Sequence, residues 1–146
     1  MSMSEARRFT KFAIVGAIGF VVDAGTFYIF SRIFGLTLLV AQALSFTVAV
    51  ANNYFWNRYW TFPEARSKSF HRQMVQFYVT SLAGLVIRSI TIALIEVTFE
   101  RLAEGYSPLS LPPKLISDYA SLTTAIIIVT VWNYVINRLW TFREAS

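Results

Sequence analysis

The sequence predicts an all-α membrane protein: four transmembrane helices built from two parallel two-helix repeats, with both termini cytoplasmic. Three observations predict it. Apolar residues make up 55% of the 146-residue chain and charged residues only 14%, against about 25% charged in a soluble domain. Four stretches are long and apolar enough to cross a bilayer. One ten-residue segment occurs twice. The shortage of charge argues against a soluble enzyme, and the hydrophobicity argues against a disordered chain. Cysteine is absent and His71 is the single histidine. That removes disulfides, thiol catalysis and cysteine-ligated metals, and leaves little for a zinc site or a Ser-His relay.

The spans run at about residues 12–33, 36–56, 74–99 and 115–136. Each can cross a hydrocarbon core about 30 Å thick at 1.5 Å per residue. Helices of a soluble bundle would show a charged face at every turn, and these show almost none. The first span follows Arg7, Arg8 and Lys11, much as a signal peptide would. Its apolar run is too long, and no small-x-small cleavage site closes it. Gly16, Gly19 and Gly25 interrupt it, with Gly16 and Gly19 placed to let a neighbouring backbone approach.

Charge sets the orientation. Nine of the thirteen Lys and Arg residues lie in the N-terminal arm (Arg7, Arg8, Lys11), the central loop (Arg58, Arg66, Lys68, Arg72) and the C-terminal tail (Arg138, Arg143). With four spans all three segments fall on one side, the cytoplasmic side by the positive-inside rule. The net charge of +5 therefore reads as topology and attraction to anionic headgroups. No basic groove or RNA- or DNA-binding signature accompanies it, so nucleic acid is not an expected partner.

Residues 53–62 read NYFWNRYWTF and residues 133–142 read NYVINRLWTF, identical at seven of ten positions at an offset of 80. The first helices of the halves align at an offset of 65, pairing Phe12 with Phe77, Gly19 with Gly84 and Arg7 with Arg72. The halves are about 7–62 and 72–142 of a single integral membrane domain, 1–146. The difference of 15 residues falls in an outer loop around 99–114, with Pro108, Pro112, Pro113, Glu100 and Glu104. Each half returns to the side where it began, so the repeats are parallel.

Two charges sit in mid-span, Asp23 and Arg88, at equivalent places under the 65-residue offset. Each is costly in hydrocarbon. They read either as a structural ion pair or as the polar floor of a cavity in which Arg88 meets an anion. Glu96 is either a further partner of Arg88 or an interfacial residue, and Asp118 caps the fourth span. In the duplicated segment Asn53 and Asn57, and Asn133 and Asn137, are spaced four apart and so share a helix face; Asn52 adds an amide. Arg58 and Arg138 follow at the inner interface, where a guanidinium can hold a phosphate in bidentate fashion. Trp60 and Trp140, with Tyr59, suit an aromatic belt. The plainer reading is a helix end made of an amide cap, an inside-positive charge and an interfacial tryptophan. It accounts for each residue type but not for the same spacing appearing twice. No paired carboxylates, nucleophile elbow, phosphate loop or metal cluster appears, so neither an enzyme nor a cofactor is expected.

The opening FAIVGAIGFVVD and the closing NNYFWNRYWTF and NYVINRLWTF segments resemble the GtrA-like family of short four-span proteins, over about residues 8–143. The resemblance implies a bacterial cytoplasmic (inner) membrane protein of cell-surface polysaccharide or cell-wall synthesis. It would flip a polyprenyl-phosphate-linked sugar from the cytoplasmic to the outer leaflet, with a polyprenyl-phosphate glycosyltransferase as a possible partner. It carries the motif role to Asn53, Asn57, Arg58, Trp60, Asn133, Asn137, Arg138 and Trp140, and Asp23 fits the opening pattern. On this view Arg58 and Arg138 gather the phosphate, the asparagines hydrogen-bond the sugar, and Arg88 offers a midplane foothold with Asp23 as its resting partner. A homodimer would thicken a thin four-helix pathway. Two other classes stand beside it: a non-transporting adaptor or anchor for a polyprenyl-phosphate glycosyltransferase, and an exporter of small-multidrug-resistance type using Asp23. Arg88 would repel the cations such an exporter carries.

Overall fold

A computed structural model describes residues 5–103 and 113–143, apart from the side chains of residues 96, 99–103 and 113–118. The central part of the expected outer loop, 104–112, lies outside them, as do the side chains of Glu96 and Asp118. The described residues are mostly helical, with no strand among them. Four helices are long and apolar enough to cross a membrane, and the protein is a multi-pass membrane protein. Helix α1 is Glu5–Tyr28, α2 Leu38–Trp56, α3 Phe70–Ala103 and α4 Pro113–Ile136. Twenty-four residues, the length of α1, rise about 36 Å. α1 begins at Glu5, earlier than hydropathy alone would place it. α3 carries on to Ala103, past the end of the expected span.

Between α1 and α2 the chain reverses at Gly35, whose φ of 65° is open to glycine at little cost. Between α2 and α3, Pro63 opens a short 3-10 turn, Pro63–Ser67, its missing N–H harmless at a helix start. Thr26, Ser31, Thr47, Thr80, Ser89 and Thr91 each donate to the carbonyl four residues back, so these hydroxyls inside apolar helices are satisfied locally.

Burial follows the duplicated pattern. In α1 the buried residues are Arg8, Phe12, Val15 and Gly19. In α3 Gln73, Phe77, Thr80 and Gly84 are buried, which are the same positions 65 residues on. α2 buries Ala41, Ser45 and Ala49 at spacings of four, running on to Asn53 and Asn57. In α4 Ser121 and Ala125 are buried and Asn133 is half-buried, and Asn137 is buried just beyond its end, 80 residues further along. Such rows of small residues let helices approach where lipid supplies no hydrophobic drive.

The packing divides the chain into two compact units: Met1–Thr80 with Tyr134–Ser146, and Ser81–Asn133. The first has an aromatic core of Phe12, Tyr54, Phe62, Phe77 and Phe142, with Val50 and Ala65. The two phenylalanines that close the duplicated segment meet there: Phe62 and Phe142 stack at 4.8 Å and 14°, and neither is exposed. Tyr54 stacks on Phe142 at 6.1 Å, and Phe9 and Phe12 present edges to Tyr134 at 5.1 and 5.5 Å. The second unit is built from the later part of α3 and most of α4.

The glycines separate sharply. A Cβ on Gly16 would meet nothing within 4 Å, whereas one on Gly19 would collide with the Asn53 amide. In the second unit a Cβ on Gly84 would stand 2.8 Å from Asn133 Oδ1 and 3.0 Å from Val129. Gly19→Ala is therefore expected to cost about 1–3 kcal/mol, the usual penalty of overpacking. Gly16→Ala should be neutral or slightly stabilising from its helix propensity. Thermal unfolding of the purified variants in detergent checks this; equal behaviour of the two would refute it.

Candidate functional site

Both copies of the duplicated segment end in the same unusual turn. After α2, Asn57–Thr61 form a π turn, and after α4, Asn137–Thr141 form another. Each closes with a hydrogen bond five residues back, Phe62 N to Asn57 O at 2.8 Å and Phe142 N to Asn137 O at 2.7 Å. Such turns recur at functional positions in helices. Asn57, Thr61, Asn137 and Thr141 are all buried. In the second copy Thr141 Oγ1 donates to Asn137 Oδ1 at 2.7 Å. In the first, Asn57 Oδ1 and Thr61 Oγ1 are buried without a hydrogen-bond partner among the described residues.

The two arginines follow different fates. Arg58 is 6% exposed. Its NH1 donates to Gln73 Oε1 and, at 3.3 Å, to Tyr54 Oη, and its NH2 donates to the carbonyls of Arg66 and Lys68 at 3.0 Å each. The guanidinium also lies 5.5 Å from the centre of the Phe70 ring. All these acceptors are neutral, so Arg58 knits α2, the following turn and the start of α3 together. Gln73 completes the knot by donating to Ala65 O at 3.0 Å. Arg138 instead meets a carboxylate: its NH2 is 3.2 Å from Glu5 Oε1, and Tyr134 Oη donates to Glu5 Oε2 at 2.6 Å. Arg8 bridges to Glu64 at 2.7 Å and lies 3.9 Å from Glu5. The N-terminal arm is thereby tied to the end of α4.

Of the remaining expected site residues, Asn53 is half-buried, its amide against Gly19 and its Oδ1 3.4 Å from Asn52 Nδ2. Asn133 occupies the corresponding place in the second unit, against Gly84. Trp60 and Trp140 are 37% and 47% exposed. Lys11 donates to the Trp60 carbonyl at 3.1 Å and sits 5.0 Å from the centre of its ring. Asp23, half-buried in the first unit, accepts a 2.6 Å hydrogen bond from Ser45. Arg88 is half-buried in the second, where it has no hydrogen-bond or ion-pair partner among the described residues of that unit. The counterpart of Ser45 there is Ala125, which offers no hydroxyl.

The first unit thus gathers Asn53, Asn57, Arg58, Trp60, Asn137, Arg138 and Trp140, together with Asp23; Asn133 and Arg88 belong to the second. Sequence reasoning missed Glu5, Tyr54, Tyr134 and Gln73. The tyrosines had a signal, since each stands four before a motif arginine in both copies. Among the described residues, no group of three or more His, Asp or Glu could hold a metal ion.

The arrangement has relatives. Over 86 residues the chain is 33% identical to the dolichol-phosphate mannosyltransferase of Pyrococcus furiosus, a match covering 59% of this chain and 24% of that protein. The chain thus spans about a quarter of the length of that relative. Over 135 residues it is 27% identical to the uncharacterized membrane protein YngA of Bacillus subtilis, covering 92% of this chain and 79% of the relative. The family model of the GtrA/DPMS transmembrane domain matches residues 11–142, taking in most of α1, all of α2, α3 and α4 and the π turns of both duplicated segments, and the chain belongs to that family.

Proposed function

We propose that the protein carries a polyprenyl-phosphate-linked sugar from the cytoplasmic to the outer leaflet of a bacterial cytoplasmic membrane, in service of surface polysaccharide or cell-wall glycosylation. The observation that carries this reading is the pair of half-buried amides, Asn53 and Asn133, each lodged against a glycine of the adjoining helix. Polar side chains in membrane-spanning helices are expensive and face protein, water or cargo. A sugar with its hydroxyls is cargo that amides can bind. The membership of the GtrA/DPMS family and the similarity to a dolichol-phosphate mannosyltransferase support lipid-linked sugar phosphate as the substrate class. Arg88 would meet the phosphate within the bilayer and Asp23 would hold Ser45. Arg138, tied to Glu5 at the protein's edge, would release to meet the headgroup. Arg58, with both terminal nitrogens engaged, serves as a brace for the end of α2. Both termini would lie in the cytoplasm, where the basic segments gather.

A second reading rests on the mannosyltransferase match, in which a stretch like this one belongs to a longer protein with an enzymatic name. Here the chain would anchor a polyprenyl-phosphate glycosyltransferase and carry nothing itself. Reconstitution separates the two. Purified protein in liposomes loaded with a polyprenyl-phosphate-sugar should make the sugar accessible to a membrane-impermeant probe. Asn53→Leu with Asn133→Leu, and Arg88→Ala, should slow this tenfold or more while keeping the wild-type melting temperature within a few degrees. Folded protein that moves no lipid above empty liposomes would refute transport and favour the anchor.

A further inference from the structure

We propose that the first unit carries a phosphate-binding pocket built by Lys68, Arg72 and Arg143, at the start of α3 and beside the second π turn. The inference rests on the lipid-phosphate reading above and names where the phosphate is first held. The pocket has a volume of about 390 Å³, and Gln76, Leu139 and Trp140 complete its wall. That volume falls within the roughly 300–1,000 Å³ of small-ligand sites.

Its charge is the telling property. Three cations line it, and among the described lining residues there is no carboxylate. Lys68 Nζ donates to the Arg143 carbonyl, which fixes the ammonium at the pocket's edge without neutralising it. Arg72 and Arg143 are exposed and have no ion-pair partner among the described residues. Like charges held in one concavity repel, and an anion relieves that repulsion. Guanidinium groups match phosphate oxygens two at a time. The floor is rigid, because Gln73 is buried and clamped by Arg58 and by the Ala65 carbonyl. Trp140 and Leu139 add an apolar wall, and a tryptophan of this exposure suits the headgroup level of a membrane. A phosphate ester with an apolar or sugar-bearing neighbour fits such a wall better than a bare ion. The engaged Arg58 thus has a purpose at one remove: it holds the surface on which other cations receive the anion.

The test uses the full-length protein in nanodiscs of zwitterionic lipid, titrated with farnesyl phosphate, glucose 1-phosphate and inorganic phosphate, with tryptophan fluorescence as the readout. Arg72→Gln with Arg143→Gln should weaken binding at least tenfold, and Lys68→Gln several-fold. Arg66→Gln, which removes one charge, as Lys68→Gln does, from an exposed site outside the pocket, should stay within twofold. If inorganic phosphate or glucose 1-phosphate competes on equal terms, the source is a soluble phosphate; if only the prenyl ester binds, it is a lipid headgroup. Either supports the pocket. Equal losses in the Arg66 and the pocket variants would overturn it in favour of diffuse charge, as would an absence of saturable binding by wild type. Pocket variants that lose binding yet flip lipid at the wild-type rate would keep the pocket as a phosphate site and overturn its place in transport. Binding that follows the pocket residues, without transport by wild type, would sink the transport reading alone.

Discussion

Arg58→Ala is expected to lower stability by about 3 kcal/mol or more, because hydrogen bonds to a charged group contribute roughly 1.5–3 kcal/mol each and this guanidinium makes four. Its removal strands the Gln73 amide oxygen and two carbonyls in a place water reaches poorly. Arg58→Lys should recover only part, since one ammonium cannot span the acceptors that the planar fork bridges. Arg138→Ala offers the contrast. Its partner Glu5 is 61% exposed in its side chain, and pairs of that kind are worth about 0–1 kcal/mol. Unfolding the three variants with denaturant in a common detergent gives the comparison. Equal losses at positions 58 and 138 would contradict the brace assigned to Arg58.

Phe142→Ala should be comparably severe, at about 3–5 kcal/mol for a fully buried phenylalanine, and Phe62→Ala likewise. The two side chains stack on each other, and aromatic pairs add about 0.5–1.5 kcal/mol beyond their burial. The double variant should therefore lose less than the sum of the single variants, by roughly that amount. Strict additivity would mean that the two rings are independent in solution. A loss below about 1 kcal/mol at either position would mean that the site collapses onto the space left behind.

The four spans were legible because hydrocarbon sets a length and a composition that few soluble helices meet. The family was legible in the doubled N-x-x-N-R-x-W-T-F element, whose spacing survives in both halves. The shared turn was not, because a π turn leaves no residue signature in NRYWT or NRLWT. The partners of Arg58 were hidden for another reason: Gln73 lies 15 residues away, and nothing in an isolated glutamine says what it will clamp. Glu5 stands 133 residues from Arg138, in a stretch that hydropathy leaves outside the first span. The offset of 65 pointed from Asp23 to Arg88, while Ser45 was one hydroxyl among several in α2. The value of Gly19 over Gly16 also needed coordinates, since it depends on which one faces Asn53.

The π turns have one more consequence, in angular phase. In a helix of 3.6 residues per turn, a residue five places on stands roughly 140° round from where it started. A regular helix burying Asn57 would then swing Phe62 away from the interior, and one burying Asn137 would do the same to Phe142. The wider ring takes up one extra residue per turn and brings the phenylalanine back to the side of its asparagine. The identity of the residues inside the ring matters less to that outcome than their number. Positions 59 and 139, Tyr in one copy and Leu in the other, are free to vary, while the step of five places from Asn to Phe is what keeps each helix end clocked toward its partner.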